Sequence, residues 1–526
     1  MTKRTAIFAM AWLGAALAGC STTPVLPGPS IQDAETRAWW SLTADLSNDA
    51  MEGRDTGSPG YDRAAALVAE RFRRAGLRPA GDRGTYLQPI AMKEVRVDSG
   101  GTSLTLTRTV TPGPGEIASG GTRLARFLHV WTVRPSEQLP ASVEGQLAFR
   151  GTCAADAIGD VRGKVLVCLD TRRSGAPTSG QQLEAAVRAG AAALIQVDNP
   201  HFAVEPPRWP IAYARSIVLR DAPAPAAPAL PVIRWNGMNI DALVGGPGRD
   251  GAALLRAAAN GEPVPSFDPP IRLDARFAVT RGTLSSPNVL AILPGTDPAL
   301  ADQYVVLGAH LDGYGYGEPV NGDRLYNGTF DNAAYVATLI RLAEQRQGRG
   351  FRRPILFAAF TGEEKGLIGS RWLVDHLPVP REQVAAMINL DQLRPLFPLD
   401  LMTVHALEDS TVGEDARAVA EGMGIRVRLD PEPERNLLRR TDHWPFLQAG
   451  VPAVNFVFGY EPGTDAERRY RLWYQTRYHH PGDDLTQPWD PVAAARFNSF
   501  FYTLVARVAD ADRRPAFLRG NPYERR

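Results

Sequence analysis

The stretch 351–370, FRRPILFAAFTGEEKGLIGS, constrains the fold more than any other part of the chain. Its apolar run lies between Pro354 and Gly362. A short continuous run of this kind is typical of a parallel strand buried on both faces. Two adjacent carboxylates, Glu363 and Glu364, follow it in a turn. Because ligand sites of open α/β sheets gather outside the carboxyl ends of such strands, the stretch predicts a buried strand that leads into a site.

The two glutamates can divide two tasks, because adjacent residues in a turn point in different directions. One side chain can hold a metal ion, and the other can hold the proton of a water molecule on that ion. The alternative for an isolated Glu-Glu pair is a solvated turn, since exposed acidic residues are the norm. Ligand-type residues at the ends of other predicted strands favour the site.

Strands and helices alternate from residue 266 onward. The runs YVVLGA, PILFAAF, AAMINL and AVNFVF are predicted strands, and amphipathic helices such as AAYVATLIRLAEQ lie between them. Alternation of this kind predicts an α/β fold with a mostly parallel central sheet and helices on both faces. Residues 32–95 add two helices with apolar spacing near 3.6, and residues 96–125 alternate as hairpin strands do.

Five side chains of metal-ligand type occur in order in the C-terminal half, three of them directly after a predicted strand. They are His310, Asp331, Glu364, Asp391 and His479. Two imidazoles and three carboxylates suit zinc, which binds both at about 2.0–2.2 Å. Five ligands are too many for one tetrahedral ion with an open position, and they suit two ions that share one carboxylate. The set predicts two Zn²⁺ ions that activate a water, with a free carboxylate as the base.

The surrounding motifs resemble those of the co-catalytic dizinc aminopeptidases, a family that also contains glutamate carboxypeptidase II and the transferrin receptor. They are GAHLDG, YNGTFDNAA, FAAFTGEEKGLIGS, NLD, RTDHWPFLQAGVPAV and RYHHPGDD, in this order between residues 303 and 484. The resemblance implies the zinc-dependent exopeptidase fold. It places His310 and Asp391 on one zinc ion. It places Glu364 and His479 on the other, with Asp331 bridging the two.

The same resemblance implies four further roles near the zinc ions. Glu363 would be the general base. Asp312 would orient His310, because ligand histidines usually donate their other ring N–H to a carboxylate. Tyr478 would stabilise an oxyanion, with a plain packing role as the alternative. His443 would contact substrate or make a structural hydrogen bond.

The chain also departs from the commoner family pattern. His480 could replace His479 as the ligand, although the family pattern Tyr-His-x-Pro favours His479. The segment between His310 and Asp331 is long, and Gln392 follows Asp391 where many relatives have a hydrophobic residue. Both departures are expected to reshape the substrate pocket without removing a ligand.

Residues 126–265 show a different order of predicted strands and helices, and they resemble the protease-associated domain that is inserted into exported peptidases. The resemblance rests on the turn 160–164, DVRGK, before an apolar strand and on the helix-to-strand junction 188–191, RAGA. This smaller, β-rich α/β insert could be a lid, a substrate gate, a partner surface or a purely stabilising addition. The remaining divisions are a first peptidase part at 32–125, a second part with the zinc site at 266–515, and a tail at 516–526.

The N-terminus is predicted to be a lipoprotein signal peptide, residues 1–19. Lys3 and Arg4 precede an apolar run that is too short to span a bilayer, and the run ends in the sequence LAGC, which resembles a bacterial lipobox. Acylated Cys20 would anchor the mature chain, with residues 20–31 as a tether. Because Ser21 is not acidic, the outer membrane is expected, facing the periplasm or the cell surface. An ordinary signal peptide with a chance cysteine is the alternative.

The two other cysteines and the net charge bear on the compartment and the partners. Cys153 and Cys168 could form a disulfide in an exported protein, although two unlinked buried thiols fit the sequence as well. The net charge of +1 and the absence of a long basic run exclude typical nucleic-acid binding.

Together these features predict a lipid-anchored zinc aminopeptidase that acts on peptides. A carboxypeptidase or dipeptidase on the same scaffold would need a clamp for a terminal carboxylate. Arg435, Arg439 and Arg440 are candidates for it, or they form a solvated basic stretch. A non-catalytic, receptor-like protein is the remaining alternative, and the intact ligand set with Glu363 argues against it.

Overall fold

The computed structural model describes residues 33–108, 121–173, 175–202, 205–223, 230–245 and 249–524. The predicted signal peptide, the tether and Cys20 lie outside the described residues. Within them, no helix combines the length and the apolar character needed to cross a bilayer.

The helices of the described chain are, in order, α1 (Ala34–Ser47), α2 (Pro59–Arg74), α3 (Ser179–Arg188), α4 (Asp241–Val244), α5 (Gly251–Asn260), α6 (Ala334–Arg346), α7 (Ile368–Asp375), α8 (Thr411–Gly422), α9 (His443–Gln448), α10 (Asp465–Thr476) and α11 (Pro491–Ala509).

The strands are β1 (Arg78–Pro79), β2 (Leu87–Val97), β3 (Ser103–Arg108), β4 (Thr122–Leu124), β5 (Trp131–Val133), β6 (Ser142–Arg150), β7 (Val165–Asp170), β8 (Ala193–Asp198), β9 (Ala214–Leu219), β10 (Val232–Asn236), β11 (Ser266–Phe267), β12 (Ile271–Arg276), β13 (Val279–Leu293), β14 (Tyr304–His310), β15 (Gly315–Val320), β16 (Asp323–Tyr326), β17 (Ile355–Phe360), β18 (Val384–Asn389), β19 (Leu401–His405), β20 (Arg426–Arg428) and β21 (Ala453–Phe458).

The larger sheet has its parallel strands at the centre. Its order is β20-β19-β21-β18-β14-β17-β13-β2-β9, and β1 pairs with β13. Strand β14 runs parallel to β17 and β18, and β18 runs parallel to β21. The strands β13, β2 and β9 add antiparallel pairs on one side. The α/β fold with a parallel central sheet is confirmed.

Strand β17 is buried on both faces, as its apolar run predicts. Phe357 and Ala359 belong to one hydrophobic core, which also contains residues of α1, α2, α6, α8 and α11. Leu356 and Phe360, which alternate with them, belong to a second core with residues of α7 and α9. Because successive side chains of a strand point to opposite faces, one apolar run serves two helical layers. The layers hold the turn after β17, with Glu363 and Glu364, at the rim of the sheet.

The smaller sheet packs as a separate unit. Its order is β4-β3-β12-β6-β7-β8-β10-β5, and β6, β7, β8 and β10 are parallel neighbours. Thr178 caps α3 in a reciprocal pair of hydrogen bonds with Gln181, an arrangement that satisfies the free N–H groups of a helix start. Cys153 and Cys168 are joined by a disulfide.

The pairing of strands crosses the predicted division of the chain. Strands β3 and β4 lie in the predicted first peptidase part and β12 in the second, yet all three pair in the smaller sheet. Strand β9 lies inside the predicted insert, 126–265, and pairs with β2 in the larger sheet. Strand β9 was not identified from the sequence, and for the strands that were identified, the apolar pattern carries no information about which sheet the strand joins.

Candidate metal centre

Three neighbouring strands of the larger sheet deliver the first part of the site. His310 is the last residue of β14, Glu363 and Glu364 follow β17, and Asp391 follows β18. Because β17, β14 and β18 are adjacent and parallel, their carboxyl ends meet at one rim. The sequence-predicted ligands at these strand ends are therefore brought together.

His310 faces three carboxylates with one ring nitrogen. Its Nε2 lies 3.4 Å from Asp331 Oδ1, 3.7 Å from Asp391 Oδ1 and 3.9 Å from Glu363 Oε2. Its Nδ1 donates a hydrogen bond to the backbone carbonyl of Asp312 at 3.1 Å. That bond keeps the proton on Nδ1 and leaves Nε2 free to bind a metal ion.

The carboxylate of Asp312 has a different role from the one predicted. It lies 3.9 Å from the His310 ring, too far for a hydrogen bond. It accepts instead from the backbone N–H of Glu363 at 3.0 Å and from the hydroxyl of Thr56 at 3.0 Å. Asp312 thus holds the ring through its carbonyl and the glutamate turn through its side chain.

His479 makes the second half of the site, from the loop after α10. Its Nε2 lies 3.2 Å from Glu364 Oε2 and 3.4 Å from Asp331 Oδ2. Its Nδ1 is hydrogen-bonded to the hydroxyl of Tyr314 at 3.1 Å. Tyr314 thus holds the ring of His479 as the Asp312 carbonyl holds that of His310.

Asp331 lies between the two halves and turns one oxygen to each. It precedes α6 in an irregular helical turn, Thr329–Ala333, and a cis peptide bond joins it to Asn332. Asp483 accepts the backbone N–H of Asp331 at 3.0 Å, and a guanidinium nitrogen of Arg394 lies 3.4 Å from Asp331 Oδ1. Burial alone would raise the pKa of Asp331, but Arg394 and both imidazoles hold that pKa well below its usual range.

The ligand atoms fit a pair of metal ions. His310 Nε2, His479 Nε2, Asp331 Oδ2 and Asp391 Oδ2 are buried and have no hydrogen-bond partner. Two atoms that each lie about 2.0–2.1 Å from one tetrahedral zinc ion are about 3.3 Å apart. The spacings of 3.4 Å from His310 to Asp331 and 3.2 Å from His479 to Glu364 match that value. An unpaired buried polar atom is costly, so a cluster of them indicates a ligand.

The two adjacent glutamates face different halves of the site. Glu364 contacts His479, whereas Glu363 lies nearer to His310 without a hydrogen bond to it. Burial raises the pKa of Glu363 well above its ordinary value; His310 opposes the shift, and Asp391 adds to it. The Glu363 carboxylate therefore lies beside the ligand residues, and its raised pKa suits it to accept a proton.

Tyr478 and His443 occupy different surroundings. The ring of Tyr478 packs against that of His479 at a tilt of 33°, with centroids 3.7 Å apart, and its hydroxyl accepts from Arg440 at 3.2 Å. His443 is fully buried, shares a hydrogen bond of 2.5 Å with Thr441, and lies parallel to the ring of His405. Those contacts are structural, and the predicted contact of His443 with substrate is not visible in them.

His480, the alternative ligand, does not contact the carboxylates that His479 contacts. Its Nε2 has no hydrogen-bond partner, and the pKa of the ring is lowered to about 4 by burial, with Arg208 and His479 adding to the effect. The described residues thus favour His479 at the position that completes the second half.

Three residues of the site were not identified from the sequence. Tyr314 lies in the long segment after His310, whose length was the only indication. Arg394 lies three residues beyond Asp391. Asp442 is fully buried with neither carboxylate oxygen hydrogen-bonded, and burial raises its pKa to about 7 although His310 opposes the shift. Asp442 precedes His443 in the TDH motif, and that motif could have identified it.

Comparison with known proteins places these features in context. Residues 288–505 match the model of Peptidase family M28. Leupeptin-inactivating enzyme 1 of Streptomyces exfoliatus is 28% identical over 229 residues, which are 41% of this chain and 48% of that protein. Aminopeptidase YwaD of Bacillus subtilis is 28% identical over 180 residues, 33% of this chain and 38% of the relative. The chain thus spans about half or less of the length of these relatives.

Solved structures extend the similarity of fold to nearly the whole chain. An aminopeptidase from Aneurinibacillus sp. strain AM-1 has a TM-score of 0.59 at 19% identity, and the match covers 93% of this chain and 97% of that one. A zinc aminopeptidase from Bacillus subtilis has a TM-score of 0.55 at 18% identity, with coverage of 91% and 96%. At these identities the similarity concerns the fold.

Proposed function

We propose that the chain is a member of peptidase family M28, whose model residues 288–505 match, and that it is a zinc-dependent aminopeptidase that removes N-terminal residues from peptides. One observation carries the proposal: Asp331 presents one oxygen to an imidazole of each half of the site. A carboxylate shared in this way is what two co-catalytic metal ions require.

The residues divide into two ligand sets. His310 and Asp391 would hold one ion with Asp331 Oδ1, and Glu364 and His479 would hold the other with Asp331 Oδ2. Zinc bound there would lower the pKa of a water molecule to about 7 and polarise the peptide carbonyl.

The chain's own groups carry the proton and fix the geometry. Glu363 would accept the proton of the attacking water at Oε2 and pass it to the nitrogen of the leaving amine. The backbone N–H of Glu363 donates to Asp312, which fixes the start of the turn. The hydrogen bonds of His310 and His479 fix both rings. Positioned groups of this kind contribute by sparing reorganisation during the reaction.

The residues considered for a carboxypeptidase clamp are already engaged. Arg440 and Arg435 contact the buried carboxylate of Glu205, at 2.9 Å and 3.5 Å. Arg439 lies over the ring of Trp444. A carboxypeptidase would have to free these arginines to hold a terminal carboxylate, whereas an aminopeptidase needs no such clamp. We therefore prefer the aminopeptidase.

The test compares matched peptides with free and acetylated N-termini. The purified, zinc-loaded full-length protein in detergent is offered both, and mass spectrometry shows which end shortens. We expect trimming from the free N-terminus alone, abolished by a chelator and restored by zinc. Shortening of the acetylated peptides from the C-terminus would contradict the aminopeptidase and support a carboxypeptidase.

We also propose that the chain is exported and anchored through lipidated Cys20 at the outer membrane, facing the periplasm or the cell surface. The lipobox-like sequence and the Cys153–Cys168 disulfide support this, because structural disulfides form in oxidising compartments. Mass spectrometry of the mature N-terminus tests it. An acylated Cys20 is the expected result, and an unmodified N-terminus upstream of Cys20 would contradict it.

A further inference from the structure

An arginine-rich cavity of about 810 Å³ lies between the smaller-sheet domain and the segment 433–440. Its wall contains six arginines: Arg172, Arg173, Arg208, Arg234, Arg435 and Arg440. A cavity of this size accommodates a ligand larger than one amino-acid residue. We refer to it as the arginine cavity.

A smaller cavity lies between residues of the arginine cavity and residues of the metal centre. It has a volume of about 160 Å³ and is lined by Tyr314 and His479 at one end. Arg172, Arg208, Arg234 and Glu205 line both cavities. The two cavities are therefore neighbours, and the smaller one adjoins the half of the metal centre that contains His479.

One buried carboxylate is shared among three of the arginines. Glu205 is 2% exposed and contacts Arg440 at 2.9 Å, Arg208 at 3.3 Å and Arg435 at 3.5 Å. Burial would raise the pKa of Glu205, but these arginines outweigh it and hold the pKa well below its usual range. Glu432 also lies 3.4 Å from Arg435, but Arg471 shares it, so Glu205 remains the anion that three arginines share and positive charge is left around it.

The unneutralised charge faces the cavity. Arg435 Nη2 is buried without a hydrogen-bond partner. Arg173 makes no ion pair with an acidic residue in the described part of the chain, and the nearest ion pair of Arg172, with Asp170, is long at 3.8 Å. Arg234 differs, because Asp198 binds it at 2.5 Å behind the wall. Three acidic residues line the cavity, Asp170, Glu205 and Glu434, against six arginines.

We propose that the arginine cavity binds a carboxylate of the peptide substrate on the C-terminal side of the cleaved bond. This rests on the proposed function, because only one residue precedes the bond that an aminopeptidase cleaves and the rest of the substrate needs a larger space. Guanidinium groups bind carboxylates through paired, charge-assisted hydrogen bonds. The carboxylate is either the C-terminus of a short peptide or an acidic side chain. The smaller-sheet domain then selects substrates, since four of the arginines belong to it.

Two pairs of substrates separate the two sources of the carboxylate. The first pair is Leu-Gly-Gly as the free acid and as the C-terminal amide, and the second is Leu-Gly-Glu-amide and Leu-Gly-Gln-amide. The zinc-loaded full-length protein is assayed for kcat/KM on all four. We expect a preference of about tenfold or more for the charged member of at least one pair, the effect of one charge-assisted contact. The pair that shows it identifies the source.

Variants locate the preference in the cavity. The double variant Arg172→Gln/Arg173→Gln removes the two arginines with the least engaged charge, and we expect it to bring the preference close to one. Arg188→Gln is the matched control, because Arg188 is an exposed arginine of α3 in the same domain and does not line the cavity. It should keep the full preference. A double variant that also keeps it would overturn the proposal.

A binding measurement separates this proposal from the proposed function. N-acetylated forms of both pairs are titrated into the same protein by calorimetry. Tighter binding of the charged member of either pair supports the cavity even if no peptide is cleaved, an outcome that would overturn the aminopeptidase alone. Equal cleavage and equal binding within both pairs would leave the aminopeptidase in place and overturn the role of the cavity.

Discussion

The metal centre and the group around Glu205 are both buried clusters of charge, and they differ in how completely their atoms are paired. In the metal centre, the Nε2 atoms of His310 and His479 have no hydrogen-bond partner. In the other cluster, Arg440 and Arg208 approach both oxygens of Glu205. Buried polar groups without partners are costly and persist where a ligand completes them. The metal centre therefore leaves its ligand atoms free for ions, whereas both oxygens of Glu205 are occupied by arginines and only the outer face of the arginine group, including Arg435 Nη2, is left without a partner.

The largest expected effect comes from the residue shared by both halves of the metal centre. Asp331→Ala should lose both zinc ions together and lower kcat/KM by about 10,000-fold, because each ion loses a ligand. Zinc per chain by mass spectrometry and kinetics on a tripeptide measure this. Asp331→Asn, which keeps the volume, should behave alike. A variant that retains both ions would remove Asp331 from the bridging position.

The next effect separates the adjacent glutamates. Glu363→Gln should keep its zinc but lower kcat by about 1,000-fold, since a positioned base contributes about 100- to 10,000-fold. Glu364→Gln is the matched comparison, because it alters the neighbouring residue and should lose zinc from the half that contains His479. Equal zinc loss in both variants would show that the two glutamates do not divide the work.

The third prediction concerns Glu205, whose replacement should lower the stability of the fold rather than act directly on catalysis. Glu205→Gln should lower the free energy of unfolding by about 3–5 kcal/mol, because it leaves buried arginines without their anion. Urea unfolding measures this, with Glu184→Gln as the control. Glu184 pairs with Arg188 on an exposed face, where such pairs contribute about 0–1 kcal/mol.

The loss of stability in Glu205→Gln should depend on pH. The folded-state pKa of Glu205 lies below the ordinary value of 4.5. The ionised carboxylate therefore stabilises the fold fully above about pH 4.5, and the stabilisation is lost as the pH falls toward the folded-state pKa. The difference between wild type and Glu205→Gln should be larger at pH 7 than at pH 4. A difference that grows in acid would contradict the sign of this pKa shift.

The smallest expected effect concerns the support of a single ligand. Tyr314→Phe removes the hydroxyl that bonds His479 Nδ1 but keeps the ring. Loss of such a support lowers metal affinity by about 10- to 100-fold, and we expect the lower end. Competition with a chelator measures it. Tyr316→Phe, on the same β-hairpin but half exposed, is the control and should leave zinc affinity unchanged.

The sequence predicts those ligands of the metal centre that follow directly after a strand. An apolar run followed by a ligand residue identifies His310, Glu364 and Asp391, because parallel strands deliver their ends to one rim whatever the rest of the chain does. Asp331 and His479, which lie in a turn and a loop, were candidates by residue type, and the resemblance supplied the bridging role of the first and the choice of His479 over His480.

The remaining contacts depend on tertiary packing that no local pattern encodes. Tyr314 reaches His479 across 165 residues of sequence, and Glu205 reaches Arg440 across 235. The sequence of strand β9, ARSIVL, does not indicate which sheet it joins. Patterns of this kind identify elements, and the partner of each element follows only from the folded chain.

The pairing of β9 with β2 has a consequence for modular exchange. Tyr213, just before β9, bonds Lys365 at 2.8 Å, and Arg215 in β9 binds Asp55 at 2.6 Å. Lys365 is the neighbour of Glu364. Removing residues 126–265 as a cassette would delete a strand of the larger sheet, the Tyr213 contact beside the ligand turn and the Arg215 contact with Asp55. A domain grafted from another protein must therefore supply a replacement for this edge strand. For the same reason, we expect substitutions in the two units to be coupled.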